Sequence, residues 1–431
     1  MDDAVDRVVA DALGAPVPLA TPRRARLPRL PGKVDAVIGM RRAGKTWLLY
    51  RAMAELLASG VPRERVIFIS FEDERLLPME AAQLGRIPEA LHRLHPATAQ
   101  GPMNWFFDEV HNVPGWERFV RRLVDGGHAV AVTGSSAKLL GREIATSLRG
   151  RGLATELLPF GFDEALAHQG IEAPSRFPVA SPVRALLSNR LRAWLDSGGF
   201  PEAQGLAPEL RVRLLQEYVN VALFRDVVER HGVSHVAALR WLVRRLVSNP
   251  GSLFTVHRAH ADLRAQGLGM GTDAIYQLVE HLEDAFLTLL VPRLDDLARA
   301  RWLHPRKAYL VDHGLASAFT FRGDLGHRLE NAVYCELRRR RYSVAYAVTA
   351  QGQEVDFVTE RAGERRILQV CADAADKETR LREIRGAEAA MAELGLPEAL
   401  IVTLDEESTH RTAAGPVRLV PAWRWLLEGR G

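Results

Sequence analysis

The chain has 431 residues, 47% of them hydrophobic, with a formal net charge of +4. This length predicts two to four domains with ordinary packed cores, and the charge is too small to single out nucleic acid as a partner. No run approaches the about 18 apolar residues of a membrane-spanning helix, and Met1–Arg7 carries neither a basic start nor an apolar core, so no signal peptide and no membrane partner are expected.

Cys335 and Cys371 form no disulfide framework or metal spacing, which fits a cytoplasmic chain with reduced thiols. Lysine is scarce, at Lys33, Lys45, Lys138, Lys307 and Lys377 only. Nearly all positive charge is therefore arginine, a compositional bias that discounts arginine clusters as binding signals.

In chain order, residues 1–33 read as a short helix with Val5, Val8, Val9 and Ala12 on one face, then a Pro- and Arg-rich arm. The arm is either a solvated lead-in or a contact to nucleic acid or phosphate. Residues 34–160 alternate strands and helices, the pattern of a doubly wound parallel sheet. The first strand, Val34–Ile38, runs into Gly39-Met40-Arg41-Arg42-Ala43-Gly44-Lys45-Thr46 and an amphipathic helix from Thr46.

That stretch has the spacing G-x-x-x-x-G-K-T of a phosphate-binding loop. Glycines let successive N–H groups turn toward a phosphate. Lys45 would reach the β and γ phosphates of ATP, and Thr46 would hold Mg²⁺. Backbone and side chains of Gly39, Arg41, Arg42, Ala43, Gly44 and Trp47 complete the expected nucleotide contacts, at a helix N-terminus that favours anions. The alternative is a glycine turn that happens to precede a lysine.

A second strand, Arg65–Phe71, ends in acidic residues. A third, Met103–Phe107, runs into Asp108 and Glu109. A buried parallel strand that ends in carboxylates at the ligand-binding edge is the companion a nucleotide hydrolase needs. Asp108 would steady the Mg²⁺ shell, and Glu109 would act as general base on the attacking water. The bland reading is a strand end with solvated acids. A fourth strand, His128–Thr133, leads to Gly134-Ser135-Ser136. Ser135 is either a γ-phosphate contact or a helix cap. Arg149 and Arg151 are candidates for a γ-phosphate finger, in their own site or a neighbour's, with a surface role as the alternative.

Residues 161–232 turn helical, with a break at Gly198-Gly199-Phe200-Pro201-Glu202 and one long helix over Glu217–Arg230. Residues 233–299 suggest a winged helix whose wing strand is Leu287–Val291. Acidic Asp273, Glu280, Glu283 and Asp284 make its would-be recognition helix a packing or partner face, because acids repel phosphates. Arg240, Arg244 and Arg245 are the better phosphate contacts.

Residues 300–431 carry a helix with Glu330, a strand with Asp356 and a strand reaching Gln369 and Cys371. This is the layout of restriction-endonuclease-like nucleases, in which carboxylates hold Mg²⁺ and a lysine helps activate water. Gln369 and Cys371 stand where an acid and that lysine are needed, so an inactive site is expected. Glu330 and Asp356 as plain structural acids fit the same facts.

Together these segments, with Phe107–Trp116, Thr133–Ser136, Gly198–Glu202, Phe224–Arg230, Tyr309–Asp312 and Glu354–Phe357, resemble a family of bacterial and archaeal ATP-binding proteins. Its members have an AAA+ core and a C-terminal domain of unknown function. The resemblance implies an α/β P-loop NTPase core with a helical lid, a winged-helix-like segment and a C-terminal α/β nuclease-like domain. It also implies ATP hydrolysis with Mg²⁺. The expected activity is an ATPase that acts on DNA or a protein partner, with a homo-oligomer possible. A nucleotide-driven switch and an ATP-regulated nuclease are the alternatives.

Overall fold

The computed structural model describes residues 2–136, 150–296, 304–320 and 324–429. Its contacts separate into two units, Met1–Leu157 and Leu158–Gly431. The segments expected over 161–232, 233–299 and 300–431 all lie in the second unit.

The first unit is built on a five-stranded sheet: β1 (Val34–Ile38), β2 (Val66–Ser70), β3 (Asn104–Asp108), β4 (Ala129–Gly134) and β5 (Gly152–Glu156). The order is β2-β3-β4-β1-β5, and every pairing is parallel. The near-continuous apolar runs follow from burial on both faces. Helices α1 (Asp2–Gly14), α3 (Arg86–Leu94) and α4 (Trp116–Asp125) cover one face, where Val5, Val8, Val9, Ile87, Phe107 and Phe119 share a core. Helix α2 (Lys45–Ala58) covers the other through Leu48, Leu49, Ala52 and Met53, together with Val17, Ala25 and Leu27 of the arm.

The arm is not a solvated lead-in throughout. Arg23 is buried, and its guanidinium donates to the Ala43 carbonyl at 3.0 Å. It braces the loop after β1 from outside.

In the second unit, helices Phe162–His168 and Ser181–Ser197 lead to Pro208–Val221, which continues as a π-helical stretch, Ala222–Glu229. The expected single helix thus changes winding midway. Helices Val236–Val247, Val256–Ala265 and Thr272–Asp284 precede a small antiparallel sheet of order β6-β8-β7, from Leu253–Phe254, Arg306–Tyr309 and Leu289–Val291 respectively. Ile275, Leu278, Val279 and Leu282 of the acid-bearing helix face inward, as expected for a packing helix.

A six-stranded sheet completes the unit, in the order β13-β14-β12-β11-β10-β9. Strands β9 (Ser343–Val348), β10 (Glu354–Arg361) and β11 (Glu364–Cys371) run antiparallel, whereas β12 (Ala399–Thr403) is parallel to both β11 and β14 (Gly415–Pro421). The edge strand β13 (Ser408–Thr412) pairs antiparallel with β14.

Asp312, just after β8, is buried and clamps a distant turn. Its carboxylate accepts from the Gly199 N–H at 2.7 Å and the Gly314 N–H at 2.9 Å. A Cβ on Gly198, whose φ is +75°, would come within 2.1 Å of Asp312 Oδ1. Only glycine fits there.

Candidate active site

The chemistry-bearing residues of the first unit collect at the C-terminal ends of β1, β3 and β4, where ligands bind in open parallel sheets. The loop after β1 turns through Gly39 at φ +155°, Arg42 at +68° and Gly44 at +98°. Gly39 also passes against the residue just after β5: an added Cβ would lie 2.3 Å from the Leu157 carbonyl oxygen. Helix α2 starts at Lys45, so its unpaired N–H groups and dipole face the loop.

Lys45 is 5% exposed. Its Nζ donates to the carbonyls of Gly39 at 3.2 Å and Met40 at 3.4 Å, and lies 3.4 Å from Glu109 Oε1. Arg41 reaches Glu72 at 3.2 Å, Arg42 is exposed, and Ala43 is buried beneath the loop. Trp47 is half exposed on the first turn of α2, edge-on to Tyr50. Ser135 is fully buried just beyond β4.

Asp108 ends β3 and is held from two sides. The Thr46 hydroxyl donates to its Oδ2 at 2.8 Å, and the Thr133 hydroxyl donates to its Oδ1 at 2.6 Å. Thr133 in turn accepts the Glu109 N–H at 2.8 Å. Burial raises the Asp108 pKa, against the two hydroxyl donors and Lys45 and with the help of Glu109.

Glu109 is different. Burial opposes its ionisation, but Lys45, His111 and Arg41 together outweigh that and hold its carboxyl below the ordinary value. Its backbone sits at φ +48°, a conformation that a non-glycine residue adopts at a cost. Oε2 lies 3.3 Å from His111 Nδ1 but accepts no hydrogen bond among the described residues.

These residues fit a Mg²⁺-nucleotide. A hydroxyl and a carboxylate already share one point, a buried ammonium waits at the loop, and an ionised carboxylate keeps an oxygen available for water. Thr46 and Asp108 would hold the ion, and Lys45 and the loop N–H groups the phosphates.

Thr133 and Arg23 escaped the sequence reading. Thr133 stands out in the sequence as the last residue of an apolar strand and the first of the Thr133–Ser136 segment, and its place two residues before Ser135 is a usable signal. Arg23 gave none, since an arginine-rich arm looks the same solvated or buried.

Arg151 is not brought to this site. It directly precedes β5 and its carbonyl accepts the Val34 N–H at 2.7 Å, so it lies at the start of β1. The phosphate loop leaves the other end, roughly 13 Å away at strand rise. Its side chain ion-pairs with Asp125 at the end of α4. A finger acting on its own chain's nucleotide is therefore excluded for Arg151, because strand register fixes it at the wrong edge. Arg149 lies outside the described residues.

In the second unit, Gln369 accepts the Asp356 N–H at 2.9 Å and donates to Glu383 at 2.9 Å. Burial, then Glu383, pushes the Cys371 thiol up to about 11, so it stays neutral.

An AAA domain matches residues 32–166, and domains of unknown function DUF8612 and DUF4143 match 188–325 and 325–425. An uncharacterized protein of Methanocaldococcus jannaschii is 31% identical over 409 residues, covering 92% of this chain and 89% of the relative. An uncharacterized protein of Haemophilus influenzae is 27% identical over 340 residues, covering 78% and 82%. Among solved structures, the Walker-type ATPase of Pyrococcus abyssi covers 74% of this chain and 95% of its own, at 14% identity and a TM-score of 0.41. No helix among the described residues is long and apolar enough to cross a membrane.

Proposed function

Since this chain belongs to the family of AAA-domain P-loop proteins that includes the Methanocaldococcus jannaschii relative, we propose that it is a Mg²⁺-dependent ATPase in which Glu109 activates the attacking water. The observation that carries this reading is the approach of the buried Glu109 carboxylate to Lys45 at 3.4 Å, beside the Thr46–Asp108–Thr133 chain. Bound Mg²⁺ would supply charge neutralisation at the β and γ phosphates.

The protein does the rest. The loop N–H groups and Lys45 bind and orient the triphosphate. Thr46 and Asp108 fix the metal position. Glu109 Oε2 accepts the water proton, and Thr133 keeps the Asp108 carboxylate and the Glu109 backbone in register. Ser135, buried just beyond β4, would be the polar group nearest the strand end on that side, and Trp47 offers a surface on the first turn of α2.

Glu109→Gln tests the assignment: nucleotide affinity is retained and turnover is lost. Undiminished hydrolysis overturns it.

The work done with ATP is proposed to be remodelling or movement of DNA. The candidate phosphate contacts for this reading are Arg240 and Arg244, exposed one turn apart on helix Val236–Val247, with Arg240 lying over the Phe224 ring at 5.1 Å. Hydrolysis stimulated by duplex, branched or single-stranded DNA, and weakened by salt, supports this reading. Slow DNA-independent hydrolysis with ATP-dependent assembly favours a nucleotide-driven switch for a protein partner. The C-terminal sheet is read as nuclease-like from its order of helix, three antiparallel strands, helix and parallel strand.

A further inference from the structure

The nuclease-like layout of the C-terminal sheet implies a divalent cation among its carboxylates, and the residues present do not accommodate one. Lys307, on β8, is 1% exposed. Its Nζ donates to Glu330 Oε1 at 2.9 Å and Asp356 Oδ1 at 2.9 Å, and lies 2.7 Å from Glu354 Oε1. An ammonium has three N–H donors, and each finds a different carboxylate. The three acids come from the helix Leu325–Arg339 and from β10, so the lysine of one sheet sits at the centre of a pocket made by another.

We propose that Lys307 occupies the cation position of this pocket, so that the native chain excludes divalent metal there and removal of the ammonium opens a divalent-cation site. Three independent features carry the argument. First, the oxygens converge on one point at 2.7–2.9 Å, a shell little wider than the about 2.3–2.6 Å of a Ca²⁺ site.

Second, Glu330 and Asp356 each have a donor besides the lysine. The Tyr309 hydroxyl donates to Glu330 Oε1 at 2.6 Å, and the Val370 N–H donates to Asp356 Oδ2 at 2.9 Å. The turn at Gly251 closes over the pocket so tightly that an added Cβ would lie 3.0 Å from Glu330 Oε2.

Third, the groups that would complete a metal site point elsewhere. Gln369 is engaged by the Asp356 N–H and Glu383, and Cys371 is a neutral buried thiol. Glu354 is 44% exposed and marks the side from which an ion could enter.

The lysine also acts as a tie. It fastens the sheet β6-β8-β7 to the six-stranded sheet through charge, beside the ring contact of Tyr309 with Phe357 at 5.6 Å, and a buried pair broken on one side leaves an uncompensated charge. The proposal does not depend on the ATPase reading, since no residue is shared with the nucleotide site.

The experiment compares the full-length, nucleotide-free wild type with Lys307→Ala and Lys307→Ala/Asp356→Asn, by thermal unfolding and by Mn²⁺ titration followed by electron paramagnetic resonance. Lys307→Ala should melt below the wild type, gain about one equivalent of bound Mn²⁺ and be raised in Tm by Mn²⁺ or Ca²⁺. The wild type should show neither effect at this pocket, and the double variant should lose both. A folded Lys307→Ala that takes up no additional Mn²⁺ overturns the proposal. If Lys307→Ala does not accumulate, Asp356→Asn in the otherwise native chain decides: unchanged Mn²⁺ uptake supports the occupied pocket, and reduced uptake refutes it.

Discussion

The Thr133 hydroxyl donates to Asp108 Oδ1 at 2.6 Å while accepting the Glu109 N–H at 2.8 Å. One hydroxyl therefore couples the carboxylate proposed to support the metal to the backbone of the proposed base. Thr133→Val keeps the shape and removes both interactions. Turnover should fall by about 10–100-fold, as for other groups that orient a metal-supporting ligand. The loss should exceed any change in ATP affinity. Steady-state hydrolysis and nucleotide titration separate the two, and an unchanged rate would remove Thr133 from the mechanism.

Glu109→Gln removes the proton acceptor but leaves a side chain of the same length. The expected loss in turnover is about 10²–10⁴-fold, the usual contribution of a general base. ATP should still bind, because Lys45 and the loop are untouched. Fluorescent-nucleotide binding alongside phosphate release measures both.

Gly39→Ala should abolish nucleotide binding and lower Tm. Its Cβ would meet the Leu157 carbonyl oxygen at 2.3 Å, and backbone on both sides leaves nothing flexible to yield. Forcing such a position costs on the order of 1–3 kcal/mol or more. Calorimetry with and without ATP reads the effect.

Asp35 predicts a pH dependence unrelated to catalysis. It is the second residue of β1, where burial raises its pKa to about 6 against the hydrogen bond from the Arg29 N–H. A carboxyl with a raised folded pKa binds its proton more tightly when folded. Its stabilising contribution is thus full below the unfolded value of about 4 and is lost as pH rises through about 6. The stability of Asp35→Asn relative to wild type should therefore climb between those two pH values and then level off. Denaturant unfolding at a series of pH values tests this, and a flat difference would contradict it.

Arg151→Ala should leave the intrinsic hydrolysis of a single chain unchanged, because its ion pair with Asp125 sits at the opposite sheet edge from the loop. Hydrolysis measured over a dilution series checks this. A loss that persists at the lowest concentration would place the arginine nearer the nucleotide than strand register allows.

The candidate nucleotide site could be read from the sequence because its proposed determinants are contiguous. Gly39–Thr46 and the strand ending in Asp108-Glu109 each carry their meaning within a few residues, and a parallel sheet brings strand ends together by construction. The alternating pattern similarly announced the five-stranded core. What failed was information held in register. Whether Arg151 begins or ends its strand decides which edge it decorates, and composition does not say. Lys307 was hidden for another reason: its partners lie 23 to 49 residues away on other elements. The same part of the sequence suggested a missing ammonium at Cys371, and the fold places an ammonium among those acids from a different strand.

The Asp312 clamp bears on how this chain can be cut. A boundary near residue 300 suggests itself from sequence, yet a fragment beginning there would keep the Asp312 carboxylate and lose the Gly199 N–H that satisfies it. A fragment ending there would keep a glycine turn shaped around an absent acid. Both pieces would carry an open wound in their interiors, so dissection of the C-terminal half should start from Leu158 and leave residues 198 and 312 on the same polypeptide.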